Sequence, residues 1–126
     1  MRATNLDDMY GGPLLDWGRI EGRLNEGLTQ APDTGGPNRH TCWLATINPD
    51  GSPHVTGIGA LWVDGTFWLE TGDRTRKAKN LARDPRATMS TSTLEFDLVV
   101  EGDVHNPSLL TLRVVRDGYA QKQSLQ

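Results

Sequence analysis

Basic residues cluster in residues 72–86, where the sequence predicts the start of a short helix. The segment follows a strand-like run over residues 66–71, and Asp84-Pro85 predicts the end of the helix. Six of the 13 Lys and Arg residues of the chain lie in it: Arg74, Arg76, Lys77, Lys79, Arg83 and Arg86. This concentration of positive charge indicates a site that binds an anion.

The start of this helix suits a phosphate group in particular. The first amides of a helix have no intrahelical acceptor, and the helix dipole is positive at that end. Thr75 adds a hydroxyl donor there, while Arg76 and Lys77 add charged donors. Donors without competing acceptors therefore predict a phosphate pocket at this position.

Composition limits the kind of ligand and the kind of protein. The chain has 126 residues, of which 36% are hydrophobic and 23% charged, which favours one folded domain; we assign it to residues 14–126, after a flexible arm over residues 1–13. A net charge of −3 argues against nucleic acid as the partner. Since no apolar run approaches the roughly 20 residues of a membrane span, and Cys42 is the single cysteine, we expect no membrane partner and a cytoplasmic location.

Most of the predicted elements are strands. A helix is expected over residues 17–28, capped by Asp16, from apolar residues at steps of three and four. Residues 31–38 have the composition of a loop, and Asp64-Gly65 is a hairpin turn. The expected strands cover residues 41–47, 54–63, 66–71, 86–92 and 95–104.

The end of the chain has two interpretations. Leu110, Leu112 and Val114 alternate as in a strand, whereas Leu109, Leu112 and Tyr119 fit a helix that Asn106-Pro107-Ser108 could start. We favour a helix over residues 107–122. Sequential antiparallel strands with few helices indicate a mainly β fold with flanking helices, a small barrel rather than a doubly wound sheet.

Four segments together resemble one known family. Residues 43–55, 64–72, 75–86 and 99–103 are similar, in this order and spacing, to segments of the split-barrel flavin-binding superfamily named after pyridoxamine 5′-phosphate oxidase. The resemblance runs from about residue 14 to residue 122 and implies a split β-barrel. It also implies a homodimer with a cofactor groove between the two chains.

The resemblance nominates two groups of cofactor-binding residues. His54, Val55 and Thr56 would lie beside the flavin-like ring, with backbone amides near Gly57 bonded to ring nitrogens. Thr71, Thr75, Arg76 and Lys77 would hold the phosphate. No catalytic residue is nominated, because in this superfamily the cofactor carries the electrons.

The short form of the chain is most similar to family members that bind the deazaflavin F420. The basic C-terminal segment that grips pyridoxamine phosphate in the oxidases has no counterpart before Gln126, and neither does a further family strand, so the resemblance leaves closure of the barrel open. The resemblance implies an F420-dependent oxidoreductase acting on a small organic substrate. The alternatives are an FMN flavoprotein and a non-catalytic carrier of a flavin, deazaflavin or haem-like ligand.

Other residue patterns favour structural roles. His40, Cys42 and His105 lack metal-ligand spacing, so no metal site is predicted, and Cys42 is expected to be a small buried residue. Arg83 and Arg86 have a possible ion-pair partner in Asp84. The sequence contains no Ser-His-Asp arrangement, P-loop or dinucleotide fingerprint.

Overall fold

The computed structural model describes residues 2–5, 16–28, 39–105 and 111–123, with side chains for residues 16–28 and 39–105. Eight strands and two helices follow one another along the described chain. In chain order they are β1 (Arg2–Asn5), α1 (Trp17–Asn25), β2 (Cys42–Ile47), β3 (Pro53–Ile58), β4 (Ala60–Val63), β5 (Thr66–Glu70), α2 (Arg76–Arg83), β6 (Arg86–Ser92), β7 (Phe96–His105) and β8 (Thr111–Gln123).

The strands form one curled sheet in the order β3-β2-β6-β7-β8-β5-β4, with β1 paired to β8 off this path. All neighbours along the path are antiparallel, and β1 is parallel to β8. Only Gly59 separates β3 from β4, although these strands lie at opposite ends of the path. The two ends of the sheet therefore lie next to each other, which confirms the predicted mainly β split barrel.

Gly59 also divides what the sequence predicted as one strand over residues 54–63. The chain leaves β3 at Ile58 and enters β4 at Ala60, so the segment changes partner from β2 to β5. The bend between β3 and β4 therefore lies at Gly59.

The predicted C-terminal helix over residues 107–122 is wrong. Residues 111–123 form β8, which pairs with β7 along most of its length and with β5 near its start. Residues 112 and 114 are register partners of the buried Leu69 and Phe67, so the alternating pattern prevailed over the helical one. Pairing with β7 and β5 stabilises the strand, and the local sequence does not reveal these long-range partners. Through this pairing, β8 joins the two halves of the sheet.

The predicted arm over residues 1–13 contains β1, whose backbone pairs with residues 118–121. The other residues of this arm, the predicted loop over residues 31–38 and the proposed helix start at 106–108 lie outside the described residues. The domain boundary at residue 14 stays a prediction.

The core fills the inside of the curled sheet and is closed on one side by α1. Ile20 and Leu24 of α1 are fully buried, as their spacing predicted. Asp16 precedes the helix as predicted, but its side chain makes no capping hydrogen bond; its carbonyl oxygen accepts from the amides of Arg19 and Ile20. The buried apolar residues of the sheet are Cys42, Leu44, Ala60, Phe67, Leu69, Met89, Phe96, Leu98, Val100 and Val104.

Three aromatic rings connect α1 to the β4–β5 hairpin. The ring of Trp62 lies edge-on to Trp17, with centroids 6.0 Å apart, and edge-on to Phe67, with centroids 4.7 Å apart. Such T-shaped pairs stabilise beyond the area that they bury. Trp62 is the middle ring of the three, and Phe67, which is 1% exposed, supports it from the core.

The hairpin turn between β4 and β5 provides a test of backbone conformation. Asp64 and Gly65 have φ angles of 53° and 74°, as the predicted turn requires. Gly65→Ala should lower the free energy of unfolding by about 1–2 kcal/mol, because L side chains disfavour positive φ. Chemical denaturation measures this effect.

Gly59→Ala is the matched control, since Gly59 lacks a positive φ and an added Cβ there would meet no atom within 4 Å. We expect that variant to unfold at nearly the wild-type denaturant concentration. Equal losses in the two variants would contradict the conformational explanation.

A buried histidine lies where α1 meets the segment before β2. His40 is 6% exposed, and the Arg23 guanidinium lies 3.3 Å from its Nε2 atom. Burial, and to a lesser extent the charge of Arg23, hold the pKa of His40 below the usual 6.5. The folded protein therefore favours the neutral imidazole.

Protonation of His40 is expected to destabilise the fold in acid. Below pH 6.5 the unfolded chain binds a proton that the native imidazole refuses, so stability falls as the pH drops through the lowered native pKa. His40→Gln should reduce the fall in the urea midpoint between neutral and acidic pH. Parallel pH profiles for the two proteins would contradict this role of His40.

Candidate functional site

Helix α2 begins at the predicted place and is capped by Thr75. The Thr75 hydroxyl oxygen accepts a hydrogen bond from the Ala78 amide at 3.2 Å. The amides of Arg76 and Lys77, which precede Ala78, have no hydrogen-bond acceptor among the described residues. The first turn of α2 thus presents two unsatisfied donors at its positive end.

A second hydroxyl stands beside the cap. The oxygens of Thr71 and Thr75 are 2.8 Å apart, and the Thr75 hydroxyl can donate to the Gly72 carbonyl at 2.9 Å. Thr71 is 8% exposed at the end of β5, whereas Thr75 is partly accessible. The structure therefore brings all four predicted phosphate residues, Thr71, Thr75, Arg76 and Lys77, to the junction of β5 and α2.

Some basic residues of the segment are bonded within the protein, and others have no carboxylate partner among the described side chains. Arg76 is exposed and Lys77 half-buried, and neither forms an ion pair with a carboxylate among residues 16–28 and 39–105. Arg83 donates instead to the Ile47 carbonyl, and so connects the helix to the sheet. Arg76 and Lys77, the charged side chains nearest the unsatisfied amides, are therefore available to bind an anion.

Arg86 is engaged by the carboxylate of Asp84. Its guanidinium donates to both oxygens of Asp84, at 2.8 to 3.3 Å. These hydrogen bonds lower the pKa of Asp84 to about 2. The ion pair suggested by the sequence is thus present for Arg86.

The four residues predicted to border the ring lie on the edge strand β3, but on two faces. His54 and Thr56 are register partners of the buried Thr46 and Leu44, so they face the barrel interior and are half-buried. Val55 and Gly57 belong to the opposite, outer face, where Val55 is 57% exposed. A flat ring on one face would contact two of these residues. The edge of β3 that pairs with no described strand offers backbone donors and acceptors to a ligand.

Trp43 occupies the outer face beside Gly57. A Cβ built on Gly57 would lie 3.6 Å from the Trp43 indole and 3.7 Å from the Thr41 methyl group. The side chains of Trp43 and Thr41 therefore pack close to the Gly57 backbone. Trp43 itself remains 49% exposed, with room for a further contact.

Asn80 connects the two predicted groups of residues, and the sequence analysis did not identify it. It is fully buried, and its amide nitrogen donates to Thr46 Oγ1 at 3.1 Å and to Asn48 Oδ1 at 3.0 Å. A polar residue with poor helix propensity between Lys79 and Leu81 was the available signal. Because Thr46 is paired with His54, Asn80 ties α2 to the strand pair that carries the ring residues.

A separate groove of about 560 Å³ crosses the outer face of the sheet. Ala45, Thr88 and Glu101 form one register row across β2, β6 and β7 at its base, and Pro53 lies at one end. None of the eight predicted cofactor residues lines this groove. We assign it no role in binding the phosphate.

Neither a metal cluster nor a reactive thiol is found among the described residues. The described residues hold no group of three or more His, Cys, Asp or Glu side chains placed to share a metal ion. Cys42 is buried as predicted, and burial raises the pKa of its thiol to about 11. A thiol in this environment stays protonated at neutral pH and is a packing residue.

Most of the chain matches one known protein family. Residues 28–121 match the family described as "Pyridoxamine 5'-phosphate oxidase". The chain belongs to this family. Some of its members bind flavins or F420, and the segment matched includes every residue nominated here for cofactor binding.

Solved structures share the fold at low sequence identity. A conserved hypothetical protein, Rv2991 from Mycobacterium tuberculosis, is 22% identical with a TM-score of 0.68, and the match covers 87% of this chain and 86% of that one. A protein named F420 reductase is 18% identical with a TM-score of 0.56, covering 63% and 87% of the two chains. A heme binding protein from Mycobacterium smegmatis is 15% identical with a TM-score of 0.61, covering 82% and 53%. No curated protein matches the sequence.

The residues present fit a phosphate-bearing cofactor. An anion at the first turn of α2 would meet two amides and two cations that have no partner among the described residues, and the Thr71–Thr75 hydroxyl pair.

Among the parts of the chain that the structure describes, no helix is long and apolar enough to cross a lipid bilayer.

Proposed function

We propose that the protein is an F420-dependent oxidoreductase that transfers a hydride between the deazaflavin and a small organic substrate. The observation that carries this proposal is the set of unsatisfied donors at the first turn of α2, in a family whose members bind flavins or F420. Arg76 and Lys77 would hold the phosphate by charge-assisted hydrogen bonds. The Thr71 and Thr75 hydroxyls would complete its coordination.

The edge of β3 would bind the ring. Backbone groups at residues 54–57 would bond to its polar edge and so orient it, while His54 and Thr56, or Val55 and Gly57, would contact one of its faces. The bound deazaflavin supplies the hydride chemistry. The protein's task is to place the ring and leave one face open for a substrate at near-contact distance.

F420 is favoured over FMN by Lys79. This residue is exposed on α2 and has no ion-pair partner among the described side chains, so it is available to the polyglutamate tail of F420. Arg83, further along the same helix, is instead bonded to Ile47 and Asn80. FMN remains the alternative occupant, since it offers the same phosphate to the same first turn.

Turnover tests the proposed reaction. Reduced F420 should be oxidised by the protein in the presence of small hydride acceptors such as quinones and activated alkenes, at a rate proportional to enzyme concentration. Purification with a yellow, tightly bound flavin and activity with reduced nicotinamide would instead support the FMN alternative. Binding of F420 without turnover on any acceptor would identify a carrier and contradict the enzymatic proposal.

We also propose that the protein acts as a homodimer. Trp43 and Val55 are large apolar side chains that are about half exposed on adjacent strands of the outer face. Association of two copies would remove this surface from water. Sedimentation equilibrium that fits one 13.9-kDa chain at micromolar concentration would contradict the dimer.

A further inference from the structure

We propose that Asn80 is a positioning residue that sets the distance and orientation between the anion site and the ring site. The inference rests on the proposed function, because it concerns how the two parts of one cofactor are held together. Asn80 itself is fully buried and is not expected to touch the cofactor.

The side chain of Asn80 uses its hydrogen-bonding groups within the protein. Its nitrogen donates to Thr46 Oγ1 and Asn48 Oδ1, and its oxygen lies 3.5 Å from a nitrogen of Arg83. Arg83 in turn donates to the Ile47 carbonyl. Three consecutive residues, the last two of β2 and the first of the turn that follows it, are therefore hydrogen-bonded to Asn80 and Arg83 of α2.

Asn48, a hydrogen-bond partner of Asn80, begins a turn that is held together by hydrogen bonds. The amide nitrogen of the Asn48 side chain donates to Ser52 Oγ at 3.1 Å, and the Asn48 backbone amide donates to the Ser52 carbonyl at 2.9 Å. The Gly51 amide closes the turn on the Asn48 carbonyl. Asn80 thus attaches α2 to a hairpin whose own geometry is fixed by hydrogen bonds.

Helical geometry transmits this attachment to the anion site. Arg76 precedes Asn80 by four residues, so it lies about one turn, or about 6 Å, nearer the helix start on nearly the same side. On the sheet, Thr46 is the register partner of His54. One side-chain contact therefore relates the first turn of α2 to β3, where the ring is proposed to lie.

The choice of asparagine supports a positional role. Asparagine is a poor residue for a helix interior, and burying its amide costs free energy unless every hydrogen bond is made. Leucine would fill a buried helical position at lower cost but would leave the Thr46 and Asn48 oxygens without donors. A directional amide fixes the rotation of the helix about its axis in a way that apolar packing does not.

The test separates positioning from simple loss of stability. For wild type and for Asn80→Ala, the dissociation constants of FMN and riboflavin are measured, and likewise those of F420 and its phosphate-free riboside. The quotient is the dissociation constant of the phosphate-free ligand divided by that of the phosphate-bearing one. For riboflavin and FMN it reports the phosphate's contribution alone, and for the F420 pair it reports the phosphate together with the polyglutamate tail. Val100→Ala, which truncates a fully buried side chain of β7, is the control for destabilisation.

We expect Asn80→Ala to lower the quotient by about tenfold or more, as for the loss of one charge-assisted hydrogen bond. The affinity for the phosphate-free ligand should change little, and Val100→Ala should keep the wild-type quotient. If Asn80→Ala does not fold, Thr46→Val removes one acceptor and should lower the quotient by a smaller factor.

An unchanged quotient in a folded Asn80→Ala or Thr46→Val protein would overturn the positioning role. A wild-type quotient near one would instead show that the phosphate is not bound at α2, and so would remove the proposed function itself. The two failures are distinguishable because the second is already visible in the wild-type protein.

Discussion

Replacing both Arg76 and Lys77 by alanine is expected to weaken cofactor binding by two to four orders of magnitude. Each charge-assisted hydrogen bond to a phosphate contributes roughly 1.5–3 kcal/mol, so about 3–6 kcal/mol is lost if both residues bind it. Arg76 is exposed and Lys77 half-buried, with no carboxylate partner among the described side chains, so the fold should tolerate the change. Fluorescence titration with F420 or FMN measures the loss.

A matched control removes two positive charges elsewhere. Arg19→Ala/Arg86→Ala makes the same change in net charge at residues that are paired with Glu95 and Asp84. Its dissociation constant should stay within a few-fold of wild type, since exposed ion pairs contribute little. If the two double variants lose the same affinity, the overall field of the protein attracts the cofactor and α2 has no special role.

Phe67→Ala is expected to lower the free energy of unfolding by about 3–5 kcal/mol, more than Gly65→Ala. The ring is 1% exposed, packs edge-on against Trp62 and supports the contact of that indole with Trp17 of α1. Domains of this size have about 5–15 kcal/mol of total stability. The variant should therefore unfold at a much lower urea concentration, with loss of near-ultraviolet circular dichroism.

Leu61→Ala on the same hairpin is the control for this prediction. Leu61 is 69% exposed on β4, so its truncation should change the free energy of unfolding by less than about 0.5 kcal/mol. A Phe67→Ala protein as stable as Leu61→Ala would show that the three-ring contact does not hold α1 on the sheet.

Local signals predicted the parts of the fold that depend on neighbouring residues in the chain. The Thr75 cap and the stop at Asp84-Pro85 bound α2 correctly, because capping is decided within one helical turn. Asp64-Gly65 specified its hairpin turn through the tolerance of both residues for positive φ. The same reasoning located the unsatisfied amides of the anion site.

Long-range pairing decided what the sequence did not predict. Residues 111–123 carry both a helical and a strand pattern, and contacts with β5 and β7 chose the strand. Successive strand residues point to opposite faces in any strand, but only the register with β2 decides that His54 faces the barrel interior and Val55 the outer face. Asn80 was missed for a related reason: its partners Thr46 and Asn48 are more than thirty residues away.

The most direct test of the account is a parallel titration of the wild-type protein with F420, FMN and riboflavin, followed by fluorescence. The account predicts that F420 binds most tightly, that FMN binds more weakly, and that riboflavin binds most weakly because it lacks a phosphate. Equal affinities for FMN and riboflavin, together with no binding of F420, would contradict the assignment of α2 as the cofactor's anion site.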